Sequence, residues 1–203
     1  GEPLLNKPVF KFVMDYSDKL AKEHGKKIRY TMTTNGTLID DMAVHYIKKH
    51  NFGLMVSLDG PPEIHNAQCP TRDGKDSFEM AATGIKRLMQ RRRAVTARCT
   101  MTNAKPRMLD LIHFFEEFGF TRIVLGRVIN PVNPSPLDCG EEEFGEFGRQ
   151  ETEEIIPWMF ERLSQGEIPK FFPWGTFIHE QANETNTPKI NLFHCGACRG
   201  TMT

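Results

Sequence analysis

The chain has 203 residues, enough for one domain with a buried core plus an extension, and its 26 basic residues balance 26 acidic ones. That balance argues against a nucleic-acid footprint, with Arg91-Arg92-Arg93 reading as a solvated helix end, and no apolar run approaches the length of a membrane span. The expectation is a soluble, cytoplasmic protein with no nucleic-acid or membrane partner.

In chain order, residues 8 to 24 read as a helix, with Phe10, Val13, Leu20, Ala21 and His24 on one face and Gly25 as its stop. Residues 28 to 34 read as a strand. Asp40 can cap a helix reaching His50, and Phe52-Gly53 turns into a strand from Leu54 to Leu58. After a polar loop, residues 77 to 92 carry Phe78, Ala81, Ala82, Ile85, Leu88 and Met89 as one helical stripe. Residues 94 to 101 are extended, and residues 107 to 118 repeat the helical pattern with Gly119 as its stop. Residues 121 to 125 form one more strand. This alternation of helix and strand implies parallel β/α crossovers, and it fits an open or closed β/α barrel better than an antiparallel fold.

From Gly126 the character changes. Pro131, Pro134 and Pro136 fall in a loop, residues 141 to 163 read as helical with an interruption near Pro157, and residues 169 to 173 read as a rigid aromatic and proline-rich connector. Residues 181 to 188 are polar loop. The chain opens on Gly1-Glu2-Pro3 and closes in what reads as a strand just begun, so a fragment of a longer protein is expected.

Two strand ends stand out for chemistry. Thr33-Thr34-Asn35-Gly36-Thr37 and Ser57-Leu58-Asp59-Gly60-Pro61 each follow an apolar strand with hydroxyl, amide and glycine groups suited to a polar ligand. Taken singly, each reads as a plain turn. His65, Asn66 and Arg72 lie on the loop that follows, where an arginine could grip a carboxylate with two hydrogen bonds or stand as a surface charge. Five cysteines, Cys69, Cys99, Cys139, Cys195 and Cys198, read as thiols or metal ligands rather than disulfides. Cys195 and Cys198 form a C-x-x-C able to reach one metal or one iron–sulfur cluster; two free thiols, a zinc half-site and a redox dithiol are the other readings. No nucleophile elbow, phosphate-binding glycine loop or catalytic carboxylate pair appears, and Asp138, Glu141 and His179 remain unassigned acid–base candidates.

Gly1-Glu2-Pro3-Leu4-Leu5, Thr34-Asn35-Gly36-Thr37, Ser57-Leu58-Asp59-Gly60-Pro61, Ile64-His65-Asn66, Gly74-Lys75-Asp76-Ser77-Phe78 and Cys195-Gly196-Ala197-Cys198-Arg199-Gly200 occur in an order that resembles the radical S-adenosylmethionine enzymes with a SPASM extension. Within them the chain resembles the peptide and protein maturases, such as the anaerobic sulfatase-maturating enzymes and the quinohemoprotein amine dehydrogenase maturation protein; residues 130 to 137 point to the second. The resemblance implies an α/β fold, a partial β/α barrel over residues 1–126. A substrate-proximal linker would follow over 127–190, and the start of a SPASM auxiliary-cluster domain over 191–203.

It also implies a catalytic 4Fe-4S cluster on a C-x-x-x-C-x-x-C loop upstream of Gly1, S-adenosylmethionine as the radical source, and one or more auxiliary iron–sulfur clusters. A peptide or protein would be the substrate, and a ferredoxin or flavodoxin the electron donor. Glu2 would meet the methionyl amine, Ser57 the ribose or methionyl group, and Asn35 and Asp59 would shape the rim. Cys195 and Cys198 would ligate an auxiliary cluster. Relatives often carry arginine where this chain has Cys69, so Arg72 is the candidate for the carboxylate contact. Thioether formation or side-chain oxidation is the expected chemistry. A non-catalytic β/α scaffold, or a zinc-bearing domain using Cys195 and Cys198, is the alternative.

Overall fold

The computed structural model of the chain describes residues 1–91, 94–103, 106–127 and 139–171. Four strands, β1 (Thr31–Thr34), β2 (Gly53–Ser57), β3 (Thr96–Met101) and β4 (Arg122–Arg127), form one sheet in the order β1-β2-β3-β4, and every neighbouring pair is parallel. Parallel neighbours need crossovers, and helices supply them. Helix α1 (Lys7–Glu23) precedes β1, α2 (Asp41–Lys49) joins β1 to β2, α3 (Pro62–Gln68) and α4 (Phe78–Arg91) join β2 to β3, and α5 (Met108–Phe118) joins β3 to β4. The expected β/α alternation is the observed architecture.

One face of the sheet is packed and the other is open. Met32 and Thr34, Leu54 and Val56, Ala97 and Cys99 with Met101, and Ile123 point into the core. The alternate positions Thr31, Thr33, Met55, Ser57, Thr96, Arg98 and Thr100 are exposed or half-buried. Because side chains alternate along a strand, each strand presents one row to the helices and one to the open face. The core gathers Ile47 from α2, Ile85 and Leu88 from α4, and Leu111, Ile112 and Phe115 from α5. Burying each such side chain contributes about 1.5–3 kcal/mol.

Several local readings change. The first strand is shorter than residues 28 to 34: Ile28 is exposed, and pairing begins only where Gly53 of β2 arrives to donate its N–H to the Tyr30 carbonyl at 2.8 Å. On α1, Phe10 and Met14 are the buried residues, while Val13 and His24 face solvent, because the helix is oriented by Phe10 lying against Tyr46 and Phe52. The stretch after Gly60, where the polar pattern predicts a loop, contains α3.

Beyond β4, α6 (Glu141–Gln150) and α7 (Ile156–Ser164) are joined by a π-helical turn, Glu151–Ile155. Pro157 stands in the first turn of α7, where its missing N–H removes one ladder bond, and the wider turn just before it absorbs the mismatch. Phe147, Ile155, Met159 and Phe171 join the same core, and Phe171 makes a parallel bridge with Ile123 as Ile123 donates to the Lys170 carbonyl at 3.0 Å. Residues 130 to 137 and 172 to 203, with Asp138, His179, Cys195 and Cys198, lie outside the described residues. No described helix is long and apolar enough to cross a membrane.

Gly84 of α4 presses against the Gly36 carbonyl so closely that a Cβ there would collide with backbone. Gly145 of α6 has open space around it. Gly84→Ala is therefore expected to lower stability by about 1–3 kcal/mol, and Gly145→Ala to raise it by about 0.5–1 kcal/mol. Urea unfolding midpoints of the two variants check both signs.

Candidate functional site

The carboxyl ends of the strands carry the polar groups. Glu2 caps a 3-10 turn, Pro3–Asn6, whose Leu4 is fully buried, so an apolar anchor holds the carboxylate at the end of β1. Leu4 donates its N–H to Glu2 Oε1 at 3.0 Å, and Asn35 donates its N–H to Oε2 at 2.8 Å. The Thr34 hydroxyl donates to the same carboxylate at 2.9–3.0 Å while accepting from Gly36 N–H at 3.1 Å, which orients its proton toward Glu2. Three donors fill three of about four acceptor positions on a carboxylate, leaving one. The Asn35 side chain turns back to accept from Thr37 N–H and Oγ1, an Asx turn, and Gly36 sits at φ +82°.

Asp59, just past the end of β2, is buried and ties three elements together. Its Oδ1 accepts Thr100 N–H of β3 at 2.8 Å, its Oδ2 accepts the Cys69 thiol at 3.1 Å, and its carbonyl accepts the Cys99 thiol at 3.3 Å. Its own N–H donates to His65 Nδ1 at 3.2 Å. Burial pushes the His65 imidazole below its ordinary value of 6.5, against a smaller upward pull from Asp59. Protonating Nδ1 would also set two N–H groups against each other. Burial first, then the hydrogen bond to Asp59, pushes the Cys69 thiol up to about 12, and Cys99 is likewise raised by burial.

Asp59, His65 and Cys69 bring three possible metal donors within 4.8 Å. Their chemistry is that of a hydrogen-bonded knot: the thiol keeps its proton and the imidazole lone pair is taken by a backbone N–H. Asn66 is also turned inward, its Oδ1 accepting Ser77 and Phe78 N–H at 3.1 and 2.9 Å and thereby starting α4. His65 and Asn66, read from sequence with the ligand-facing loop, therefore stand on α3 as framework.

Ser57 ends β2 on the open face, where its register partner on β3 is Arg98. Arg72 lies elsewhere, on an exposed turn closed by Thr71 N–H to the Lys75 carbonyl at 2.8 Å and Gly74 N–H to the Thr71 carbonyl at 2.9 Å. Among the described residues no contact joins Arg72 to Glu2, Ser57 or Asp59. Sequence reading passed over Arg98; the signal available was its place in the alternation of a strand, opposite the apolar row.

No protein-family model matches the chain. It is 31% identical over 134 residues to a serine-type anaerobic sulfatase-maturating enzyme of Bacteroides thetaiotaomicron, covering 65% of this chain and 32% of that protein. It is 26% identical over 133 residues to the radical SAM cyclopropyl synthase TigE of Paramaledivibacter caminithermalis (64% and 27%), and 27% identical over 137 residues to a cysteine-type sulfatase-maturating enzyme of Clostridium perfringens (65% and 36%). The structure of anSMEcpe with bound AdoMet aligns with a TM-score of 0.73 at 21% identity, over 84% of this chain and 47% of that one. The chain is thus similar in sequence to radical S-adenosylmethionine maturases over 64–65% of its length, and it shares the fold of anSMEcpe. Streptococcus suis SuiB aligns more distantly, at TM-score 0.55 and 14% identity over 80% of this chain and 35% of that one. The chain spans about a third of the length of the curated relatives it matches. In this fold Asn35, Ser57 and Asp59 fall at or just past strand ends, as the strand-end motifs suggest, and the Glu2 carboxylate, which those motifs do not include, is bound at the end of β1.

Because folding holds His65 neutral below its ordinary pKa, the unfolded chain binds the extra proton. The stability this contributes is complete above pH 6.5 and is lost as the pH falls below it. The urea midpoint is expected to drop between pH 7.5 and 5, and His65→Gln to shrink that drop while costing stability at pH 7.5.

Proposed function

We propose that this chain forms the strand-end rim of a radical S-adenosylmethionine enzyme that modifies a peptide or protein, as part of a longer polypeptide. The observation that carries this reading is the Glu2 carboxylate, held by three donors with one acceptor position left, beside the open face of a parallel sheet. The fold supports it, since anSMEcpe has been solved with AdoMet and with AdoMet plus a peptide, Kp18Cys. When bound, the cofactor and a reduced iron–sulfur cluster supply a 5′-deoxyadenosyl radical that removes hydrogen from the substrate, leading to thioether formation or side-chain oxidation.

Residues of this chain bind and orient. Glu2 takes the methionyl ammonium, a charge-assisted hydrogen bond, and its three internal donors keep it fixed for that task. Ser57 offers a hydroxyl on the open face, and Asn35 and Asp59 set the backbone of the two strand ends. The peptide lies over the open face, and a ferredoxin- or flavodoxin-type protein supplies the electron.

The described thiols do not fit a catalytic cluster: Cys69, Cys99 and Cys139 each hydrogen-bond a different oxygen, those of the Asp59 carboxylate, the Asp59 carbonyl and the Met101 carbonyl. In this reading the catalytic ligands come from C-x-x-x-C-x-x-C elsewhere in the polypeptide, and Cys195 and Cys198 serve an auxiliary cluster of a SPASM domain.

The intact gene product, reconstituted with iron and sulfide without oxygen, is expected to form 5′-deoxyadenosine from S-adenosylmethionine and reductant. None formed would overturn the proposal. Glu2→Gln removes the charge and keeps the shape, and is expected to weaken S-adenosylmethionine binding about 10–100-fold, the loss typical of a charged hydrogen bond. Equilibrium dialysis measures it.

A further inference from the structure

The open face carries a positive charge at mid-sheet and supplies no group to meet it. Arg98 stands there on β3, exposed, and among the described residues it makes no ion pair and no side-chain hydrogen bond. No acidic residue occupies a described open-face position of the four strands. Elsewhere the arginines are engaged: Arg107 pairs with Glu154, Arg127 with Glu151 and Arg162 with Glu116.

The guanidinium leans away from the Glu2 rim. The register partner of Arg98 on β4 is Val124, yet a Cβ on Gly126 would lie 3.9 Å from Arg98 Nη2. The head group thus reaches over β4, about two residues toward the carboxyl ends of the strands. Gly126 leaves that space free of a side chain. Its own register partner is the half-buried Thr100, which alternation puts on the same face as Arg98. Arg98, Thr100 and Gly126 therefore form a seat with a forked donor, a hydroxyl beside it and an open floor.

Distance separates this seat from the place proposed for the amino-acid end of the cofactor. From β1, where Glu2 is bound, to β4 is three strand spacings, about 14 Å. An α-amino acid measures about 4 Å from ammonium nitrogen to carboxylate oxygen, so with a ~3 Å hydrogen bond at each end it bridges about 10 Å. A ligand held by Glu2 leaves the seat to a second molecule.

Covering the open face decides what that molecule must carry. A peptide lying there takes Arg98 out of water, and an unpaired charge removed from water is strongly disfavoured. A carboxylate on the peptide lifts that penalty, because its two oxygens match the planar fork of the guanidinium. Acidic peptides are favoured and neutral ones are rejected by the same group.

We infer that Arg98, with Thr100 beside it over Gly126, selects peptide substrates by a carboxylate, from an Asp or Glu side chain or from a chain terminus. The carboxylate lies within about four residues of the one that reacts, since the ~14 Å width of the sheet is about four residues of extended chain. The inference rests on the function proposed above and deepens it by naming the substrate class.

Three heptapeptide pools serve as probes, each labelled at its amino end with the same neutral dye and carrying mixed Ser, Ala and Tyr around a fixed central residue. The first has central Glu and an amidated terminus, the second central Gln and an amidated terminus, and the third central Gln and a free carboxyl terminus. Fluorescence anisotropy measures their binding to the reconstituted intact gene product saturated with S-adenosylmethionine, as wild type, Arg98→Gln and Arg98→Lys. Equilibrium dialysis measures S-adenosylmethionine itself. Wild type is expected to prefer a carboxylate-bearing pool over the neutral one about 10–100-fold, and which of the two it prefers names the source of the carboxylate. Arg98→Gln abolishes that preference and Arg98→Lys keeps part of it, with S-adenosylmethionine affinity unmoved in both.

A wild type that binds S-adenosylmethionine but shows no preference overturns the inference while the proposed function stands. So does an Arg98→Gln that keeps the preference, the result of a purely structural role. An Arg98→Gln that weakens S-adenosylmethionine makes this cation a cofactor contact and overturns it too. Wild type binding no S-adenosylmethionine removes the proposed function and this inference together. Should Arg98→Gln not fold, Gly126→Leu, which fills the seat and leaves the charge, is compared with Arg98→Lys. A preference reduced in both supports the inference, and one unchanged in either overturns it.

Discussion

The Asp59 carboxylate is the constraint on which the rim depends. A buried carboxylate persists only when its oxygens are satisfied, and here a β3 backbone N–H and a thiol from the end of α3 do so. Its carbonyl and N–H take Cys99 and His65 as well, so one residue fixes the exit of β2 relative to β3 and to the helix that follows. Ser57 and Arg98 can lie side by side on the open face because Asp59 holds their two strands together just beyond them.

A second tie acts at β1. Leu4 is buried under the sheet edge and Gly84 admits the Gly36 carbonyl against α4, so the turn Thr34-Asn35-Gly36 is gripped from both sides. Glu2 is then held by backbone and hydroxyl donors rather than by a cation. The geometry of the carboxylate is set by the chain's own donors.

The Cys69 thiol has a structural task in this fold. A cysteine with its proton retained is a hydrogen-bond donor of modest reach, and it serves Asp59 from within. On the open face the exposed side chain of β3 is Arg98, two positions from Thr100, whose N–H Asp59 accepts. The division between a packed row and an open row along each strand, not the identity of any loop, decides which charges a ligand can meet.

The amino-acid sequence by itself determined the β/α alternation, the apolar stripes of α4 and α5, and the two polar strand ends, because periodicity and turn chemistry are local properties of neighbouring residues. It placed Asn35, Ser57 and Asp59 at those ends for the same reason, whereas the fold brought Glu2 to the end of β1. Tertiary structure alone decided that Met14 and not Val13 of α1 is buried, that His65 and Asn66 face inward from a helix, and that Ser57 pairs with Arg98 rather than meeting Arg72. Those outcomes depend on register and on which side of an element meets the core. Ser57 and Arg98, far apart in the chain, become neighbours only when the parallel sheet closes the loop between them.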